Sequence, residues 1–274
     1  MAAQPSNLAL RLGTAAVCVP LILLLLYRGP AWGFYLLVFP AAMIGTWELF
    51  AMTHPADRIS QAIGVVIAAT LSIALWFGVD DARVVLTVLI AVPLLGPLVT
   101  LARLGSIESA AFRAFGMGMG PLLVAVPMTL LALLRVRMGA DGASYVVMTM
   151  MFAWWGDTGG YFAGRFLGKH KLYEAVSPKK TIEGAVGGLA GSVLGALCAH
   201  FWYLPSISLA HAIPLSLVAG AFGQAGDLGE SLIKRSTGVK DSGAIVPGHG
   251  GILDRVDALL LTTAVVFLYT LWIR

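Results

Sequence analysis

Charged side chains are scarce in this sequence, and that shortage excludes most water-soluble folds. Asp, Glu, Lys and Arg together make up 12% of the 274 residues, about half of the roughly 25% found in soluble domains. Hydrophobic residues make up 58%, and the mean hydropathy is +0.87. A soluble core of this size could not bury so many apolar side chains, so we predict an integral membrane protein.

Cysteine is almost absent as well. Cys18 and Cys198 are the two cysteines, and each lies inside an apolar run. Two cysteines placed in this way indicate neither a disulfide framework nor a zinc site, so we interpret both as small packing residues. The first apolar run has no clear small-residue cleavage site after it, and we expect it to be retained as a membrane span.

Long apolar runs make up most of the sequence. A membrane-spanning helix needs about 20 mostly apolar residues, and nine segments meet that description, which predicts an all-α integral membrane protein, a polytopic bundle of about nine transmembrane helices. The predicted spans are Leu8–Tyr27, Ala31–Met52, Ser60–Gly78, Arg83–Leu101, Met117–Leu134, Ala143–Phe166, Glu183–Leu204, Ser208–Leu228 and Leu253–Ile273. We expect 1–140 to supply membrane helices and 141–274 to form the catalytic membrane region with its polar loops.

The basic residues predict the orientation of the chain. With nine spans, 13 of the 18 Lys and Arg residues fall on the side of the N-terminus and 5 on the other side. Basic loops stay in the cytoplasm, so we predict a multi-pass cell-membrane protein whose N-terminus and polar site are cytoplasmic. All six lysines lie in two of these loops, 169–180 and 234–240. Anionic lipid headgroups or a polyanionic cytoplasmic substrate would each explain them.

The segment from Asp227 to Asp257 concentrates polar residues between two apolar spans. Ionisable groups at such positions are costly in a membrane and usually functional. If the eighth helix continues past Asp227, a carboxylate, a hydroxyl and two cations share one of its faces. The sequence Pro-Gly-His-Gly-Gly at 247–251 predicts a loop whose backbone N–H groups are accessible to phosphate.

Carboxylates and cations in this segment predict a metal and phosphate site. Mg²⁺ prefers hard oxygen ligands and binds one or two protein carboxylates together with substrate phosphates. The ligand candidates are Asp227, Asp254 and Asp257, and the cations placed to neutralise a triphosphate are Lys234, Arg235, Lys240 and Arg255. An ordinary helical Glu230–Lys234 pair and an Asp254 that only caps a helix are the structural alternatives.

Two segments further upstream add polar groups. Asp157, Tyr161 and Arg165 recur at intervals of four residues, so they share a helix face, and a buried Asp157–Arg165 pair is the structural alternative. Lys179 and Lys180 flank a predicted helix N-terminus, which is a favourable place for phosphate. Ser177 with Pro178 indicates a helix start there, although Thr181 could equally cap the next helix.

The motifs together resemble a known family. Ser-Leu-Ile-Lys-Arg at 231–235, Lys-Asp at 240–241, and the run from Pro247 to Asp257 are similar to the signature of the phosphatidate cytidylyltransferase family. The segments 155–165 and 177–184 resemble two further family segments. Val246 and Ser242 depart from the usual pattern without removing a charged group.

The resemblance implies that CTP and phosphatidic acid react to give CDP-diacylglycerol and pyrophosphate, with Mg²⁺ as the cofactor. A second, monovalent cation beside Mg²⁺ is compatible with the resemblance and is not readable from the sequence. Membrane lipid is an expected partner, nucleic acid is not, and a homodimer is left open. The implied catalytic residues are Asp227, Lys234, Arg235, His249, Asp254, Arg255 and Asp257. The implied substrate- and cofactor-binding residues are Asp157, Arg165, Lys179, Lys180, Thr181, Ser231, Lys240, Asp241, Gly248, Gly250 and Gly251.

Two other classes explain part of the pattern. A cation-coupled transporter would use Asp157 and Asp227 as an ion path, but it leaves the glycine-rich loop and the lysines unexplained. A CTP-dependent lipid kinase would use the same nucleotide and release CDP. The sequence contains no Asp-Gly-x-x-Ala-Arg element of the CDP-alcohol phosphotransferases, which argues against that third class.

Overall fold

Helices account for almost the whole chain in a computed structural model, which describes residues 7–245 and 250–273. In chain order the α-helices are α1 (Asn7–Arg28), α2 (Ala31–Thr53), α3 (Arg58–Gly78), α4 (Ala82–Ala102), α5 (Ala110–Arg137), α6 (Gly142–Leu167), α7 (Ile182–Cys198), α8 (Leu209–Ser236) and α9 (Leu253–Ile273). A 3-10 turn, Gly139–Asp141, precedes α6, and a π turn, Ala199–Tyr203, extends α7. The predicted all-α membrane architecture is confirmed.

Within the described part of the chain, seven of these helices are long and apolar enough to cross a membrane. In α1 the apolar stretch Val19–Arg28 is shorter. Helix α6, which carries Asp157 and Arg165 in its second half, is not among the seven. The predicted number of nine spans therefore stays a prediction.

Polar connections meet at one end of the bundle. We call this the basic end, formed by residues 54–57, 103–109, 168–181, 237–245 and 250–252. Arg103 pairs with Asp57 at 2.8 Å, which joins the first two connections. Arg235 Nε donates to the Val176 carbonyl at 3.4 Å, which joins the third connection to the last turn of α8. At the opposite end Arg137 pairs with Asp80 at 2.8 Å. The alternation of the helices thus places most of the basic residues together.

A short antiparallel hairpin lies in the connection between α6 and α7. Its strands are β1 (Lys171–Tyr173) and β2 (Ser177–Thr181), with Lys171 opposite Thr181. The expectation of a helix start at Ser177 and Pro178 is wrong, because both residues lie in β2. The alternative is confirmed: Thr181 caps α7 and its hydroxyl accepts a hydrogen bond from the Gly184 N–H at 3.0 Å.

Glycines let α6 and α7 pack with their backbones in contact. A Cβ on Gly191 would lie 2.2 Å from the Trp155 carbonyl oxygen, and one on Gly159 would lie 2.4 Å from the Gly187 carbonyl oxygen. Small residues allow this close approach of membrane helices. The glycines of α7 therefore form its packing face against α6.

One hydrophobic cluster includes residues from both predicted segments of the chain. Phe34 and Leu131 lie in it, and so do Phe152, Leu215 and Phe267. The hydrophobic core is therefore shared by the two segments. That the chemistry lies in residues 141–274 stays a prediction.

Candidate active site

A cavity of about 420 Å³ lies at the basic end between α6, the hairpin, α7 and α8. Its polar lining residues are Asp157, Tyr161, Arg165, Lys179, Lys180, Thr181, Gln224 and Asp227. Six of these eight are site residues predicted from the sequence, and they come from three separate segments of the chain. The structure therefore brings together the groups that the motifs selected one segment at a time.

Carboxylates form the acidic side of this cavity. Asp157 from α6 and Asp227 from α8 are close enough to interact electrostatically with each other and with Asp257 from α9. Lys180 Nζ lies 2.6 Å from Asp227 Oδ2, as an ion pair without the geometry of a directed hydrogen bond. Each side chain of this pair is about a quarter exposed, although the Lys180 Nζ atom itself is buried.

Cations form the other side. Lys179 and Arg165 are exposed, and Arg165 Nη1 donates to the Tyr161 hydroxyl at 2.6 Å. This bond confirms that Tyr161 and Arg165 share a face of α6, and the structure gives Arg165 the tyrosine as its partner in place of Asp157. An exposed guanidinium and two lysines suit a ligand carrying several negative charges.

Glu183 fixes the hairpin to the start of α7. Its Oε2 accepts from the backbone N–H groups of Lys169 and His170 at 3.0 and 3.2 Å, and its Oε1 lies 2.6 Å from His170 Nδ1. In the sequence, Glu183 is only one residue of the family-like segment 177–184, and no role is predicted for it. These contacts hold the residues that lead into β1 against the start of α7, and β1 pairs with the strand that carries Lys179 and Lys180.

Lys234 lies in a buried ionic cluster beside the cavity. Its Nζ donates to Glu230 Oε2 at 2.6 Å and to Asp254 Oδ1 at 2.8 Å, and the three side chains are 6 to 10% exposed. A buried ammonium group between two carboxylates is already neutralised. The structure thus places Lys234 between α8 and α9, where it joins the two helices.

Asp254 has partners on both of its oxygens. Oδ2 accepts from the Ser242 N–H, the Ser242 hydroxyl and the Gly251 N–H, at 3.0, 3.0 and 2.9 Å, while Oδ1 accepts from Lys234. Gly250 has φ +84°, which glycine adopts without strain. Asp254 therefore holds the two ends of the glycine-rich loop together.

The remaining predicted residues lie around this centre. Ser231 Oγ is 3.5 Å from Asp227 Oδ1, and Arg235 Nη1 donates to the Val239 carbonyl at 3.2 Å. Lys240, Asp241 and Arg255 are exposed. The two predicted residues Gly248 and His249 lie outside the described residues.

Comparison with known proteins decides the family. Residues 9–273 match the cytidylyltransferase family. The chain belongs to this family. The resemblance seen in the motifs is thereby confirmed, and it extends over nearly the whole cytidylyltransferase chain.

Curated relatives match a shorter stretch of the chain. Three of them carry the name phosphatidate cytidylyltransferase: those of Staphylococcus haemolyticus (45% identical), Staphylococcus saprophyticus (46%) and Staphylococcus aureus (44%). Each alignment covers 121 residues, which are 44% of this chain and 46% of the relative. The chain therefore spans about half the length of the curated relatives that it matches.

The carboxylates beside the cavity are oxygen ligands of the kind that Mg²⁺ binds. Among the described residues no three Asp, Glu, His or Cys side chains converge closely enough to hold a metal by themselves. Mg²⁺ usually takes only one or two protein carboxylates and completes its shell with phosphates and water. Asp157 and Asp227 offer such oxygens on the wall of the cavity. Asp257 interacts electrostatically with both, and its Oδ1 accepts from the Ala258 N–H at 2.7 Å, whereas both oxygens of Asp254 have partners.

Sequence reasoning missed two polar residues at this site. Gln224 lines the cavity and donates from Nε2 to the Ala185 carbonyl at 3.0 Å, which joins α8 to α7. Glu48 from α2 accepts hydrogen bonds from the start of α9. A carboxylate inside an apolar span is functional by default, and this signal, which selected Asp157, applies equally to Glu48.

Proposed function

We propose that this protein transfers a cytidylyl group from CTP to phosphatidic acid, which gives CDP-diacylglycerol and pyrophosphate. The observation that carries the proposal is the cavity, where carboxylates of α6 and α8 face Lys179, Lys180 and Arg165. That arrangement suits a ligand with several phosphates and a bound divalent cation. Membership of the cytidylyltransferase family and the names of the curated relatives support this choice of reaction.

The proposed step is a substitution at phosphorus. An oxygen of the phosphatidate phosphate forms a bond to the α-phosphorus of CTP, and the bond from that phosphorus to the oxygen leading to the β-phosphorus breaks. Pyrophosphate carries away the electron pair. The phosphatidate phosphate is already ionised at neutral pH, so the chain needs no strong general base and no covalent intermediate.

Positioning and charge are the main contributions of the protein to such a step. Lys179, Lys180 and Arg165 would bind the phosphates of both substrates and reduce their mutual repulsion. The Lys180–Asp227 ion pair would then exchange its carboxylate partner for a phosphate. Asp157, Asp227 and Asp257 would hold Mg²⁺, which would neutralise phosphate charge and stabilise the leaving pyrophosphate.

The position of the cavity explains how one site could meet both substrates. Phe162 and Phe166 of α6 and Val186 of α7 are exposed beside it, and in a bilayer such apolar groups face acyl chains. The polar hairpin borders its other side. We therefore propose that phosphatidate enters from the lipid and CTP from the cytoplasm.

One assay separates the three reaction classes. Purified protein is reconstituted with phosphatidate, Mg²⁺ and CTP labelled in the cytosine ring or in the γ-phosphate. Label from the ring in the lipid, together with released pyrophosphate, supports the proposal. Label from the γ-phosphate in the lipid and release of CDP identify a lipid kinase, and ion flux without either product identifies a transporter.

A further inference from the structure

Glu48 is a buried carboxylate far from the motifs that mark the site. It lies in α2, is 3% exposed, and sits between Trp47 and Leu49 in an otherwise apolar helix. Three donors converge on it: the Ile252 N–H at 3.1 Å on Oε1, and the Leu253 N–H at 2.8 Å and the Ser242 hydroxyl at 3.2 Å on Oε2. The single proton of that hydroxyl is shared between Glu48 and Asp254 Oδ2, which is 3.0 Å away. A charged group with this many hydrogen bonds is strongly fixed.

These donors lie at the two ends of one loop. Ser242 lies near the start of the loop, a few residues after the end of α8. Ile252 and Leu253 lie at its other end, where α9 begins. The N–H groups at a helix start have no partner within the helix, and the positive end of the helix dipole favours a negative charge there. Glu48 therefore caps α9 from another helix and closes the loop at the same time.

The glycines of the loop fit this carboxylate. A Cβ on Gly243 would lie 2.3 Å from Glu48 Oε1, and a Cβ on Gly251 would lie 2.5 Å from Glu48 Oε2. Any side chain at either position would push the carboxylate out of place. The glycine pattern around the loop thus has a cause beyond access to phosphate.

We propose that Glu48 is a positioning residue for the active site. By capping α9 it fixes the rotation and height of that helix, and Asp257 follows one turn later beside Asp227 and Asp157. By holding Ser242 it also fixes the loop residue that donates to Asp254. The N-terminal half of the chain thereby contributes to the site without touching the substrates.

Hydrogen–deuterium exchange of the full-length protein in detergent tests the structural part. In Glu48→Gln one acceptor oxygen becomes an NH₂ group that faces N–H donors, so we expect the amides of 242–253 to exchange about tenfold faster or more. Exchange in the hairpin 171–181 should stay as in the wild type. Glu108→Gln is the matched control, because Glu108 is exposed at the same end of the bundle and should change neither region.

Kinetics test the link to the site, and this arm rests on the proposed function. We expect Glu48→Gln to lower kcat about 10- to 100-fold with a smaller change in the KM for CTP, since the phosphate-binding lysines are untouched. Glu48→Asp should recover little, because the shorter side chain cannot reach both N–H groups. If Glu48→Gln does not fold, Ser242→Ala, which removes one of the three donors, should show a smaller effect in the same direction.

The outcomes are distinct. Unchanged exchange in 242–253 overturns the proposal, and so does faster exchange with normal kcat. A wild-type protein that transfers no cytidylyl group overturns the proposed function, while the exchange result still decides whether Glu48 holds the loop.

Discussion

Lys180 and Lys234 have the same chemistry in the sequence and different surroundings in the fold. Lys180 lies on the wall of the cavity, about a quarter exposed and 2.6 Å from one carboxylate. Lys234 is enclosed by Glu230 and Asp254 and is 10% exposed. A phosphate-binding role for Lys234 stays a prediction, and the ammonium group would have to leave two carboxylates to perform it.

Replacing Lys234 should therefore destabilise the protein. Lys234→Met would leave Glu230 and Asp254 buried without a cation, and the loss of one partner from such a cluster costs about 3–5 kcal/mol. We expect a clear fall in the unfolding temperature of purified protein in detergent. Lys180→Met is the matched control and should cost about 1 kcal/mol or less while lowering turnover. Equal unfolding temperatures for the two variants would contradict these assignments.

Asp227 provides the complementary test at the cavity. Asp227→Asn removes the charge that faces Lys180 and one of the proposed Mg²⁺ ligands, so cytidylyl transfer should fall about 100-fold or more. The fold should persist, because this side chain is accessible and outside the buried ionic cluster. Asp80→Asn, at the opposite end of the bundle and paired only with Arg137, should keep normal turnover.

At the level of single residues, the sequence identified groups whose chemistry is unusual for their surroundings. Asp157 and Asp227 stand out because charge is costly in an apolar chain, and Lys180 because it flanks a helix N-terminus. All three line the cavity. Ser242 was passed over as a harmless departure from the family pattern, yet it contacts both Glu48 and Asp254. Glu48 lies 194 residues away in the chain and Asp254 lies 12 residues away. Local spacing contains no information about the contact with Glu48.

At the level of elements, α6 and α7 form one wall of the cavity. Their close packing depends on glycines, which have no side chain to separate the two backbones. Gly191→Ala would put a methyl group 2.2 Å from a backbone oxygen of α6, and since backbone cannot yield the helices must separate. We expect a lower unfolding temperature and reduced turnover. Gly195→Ala is the matched control on the same helix, because its new methyl group would lie at least 3.4 Å from its neighbours and should be tolerated.

The turn between α2 and α3 makes stability depend on pH. Burial, followed by the charge of Arg113, lowers the pKa of His54 to about 4, against about 6.5 in an unfolded chain. The unfolded state therefore takes up a proton between pH 6.5 and 4 that the folded state excludes, and folding stability falls as the pH drops through that range. Hydrogen bonds from Arg103 and Ser60 keep the pKa of Asp57 well below its usual value, so Asp57 stays ionised throughout this range.

Unfolding temperatures of the wild type and His54→Gln between pH 7.5 and 4.5 check this dependence. The wild type should lose stability over this interval more steeply than the variant, which has no imidazole to protonate. Parallel curves for the two proteins would show that His54 does not contribute.

Apolar runs predicted the positions of the helices, but they predicted neither the end of α8 nor the hairpin. Helix α8 continues to Ser236, eight residues beyond the predicted end, because its last turns bury a charged face against α9 that counts as polar in a hydropathy window. The hairpin was missed because strands of three and five residues carry little periodicity. Such a hairpin is marginal by itself and depends here on Glu183 and the neighbouring helices.

For the whole molecule, the untested expectation is its orientation. The described parts of four polar connections meet at the basic end, and the positive-inside rule predicts that this end is cytoplasmic. We expect single cysteines at Glu108 and Glu174, in a variant without Cys18 and Cys198, to be shielded from an impermeant maleimide in intact cells. A cysteine at Asp81 should be labelled. The reverse pattern would place the cavity away from cytoplasmic CTP.

Glu48 and its partner Leu253 are 205 residues apart in the chain, and this distance has a consequence for how the protein is made. At a synthesis rate of 5–20 residues per second, the second helix enters the membrane about 10 to 40 s before the ninth exists. During that interval the Glu48 carboxylate has none of its final donors. Water or the insertion machinery must solvate it until the last helix arrives and supplies them.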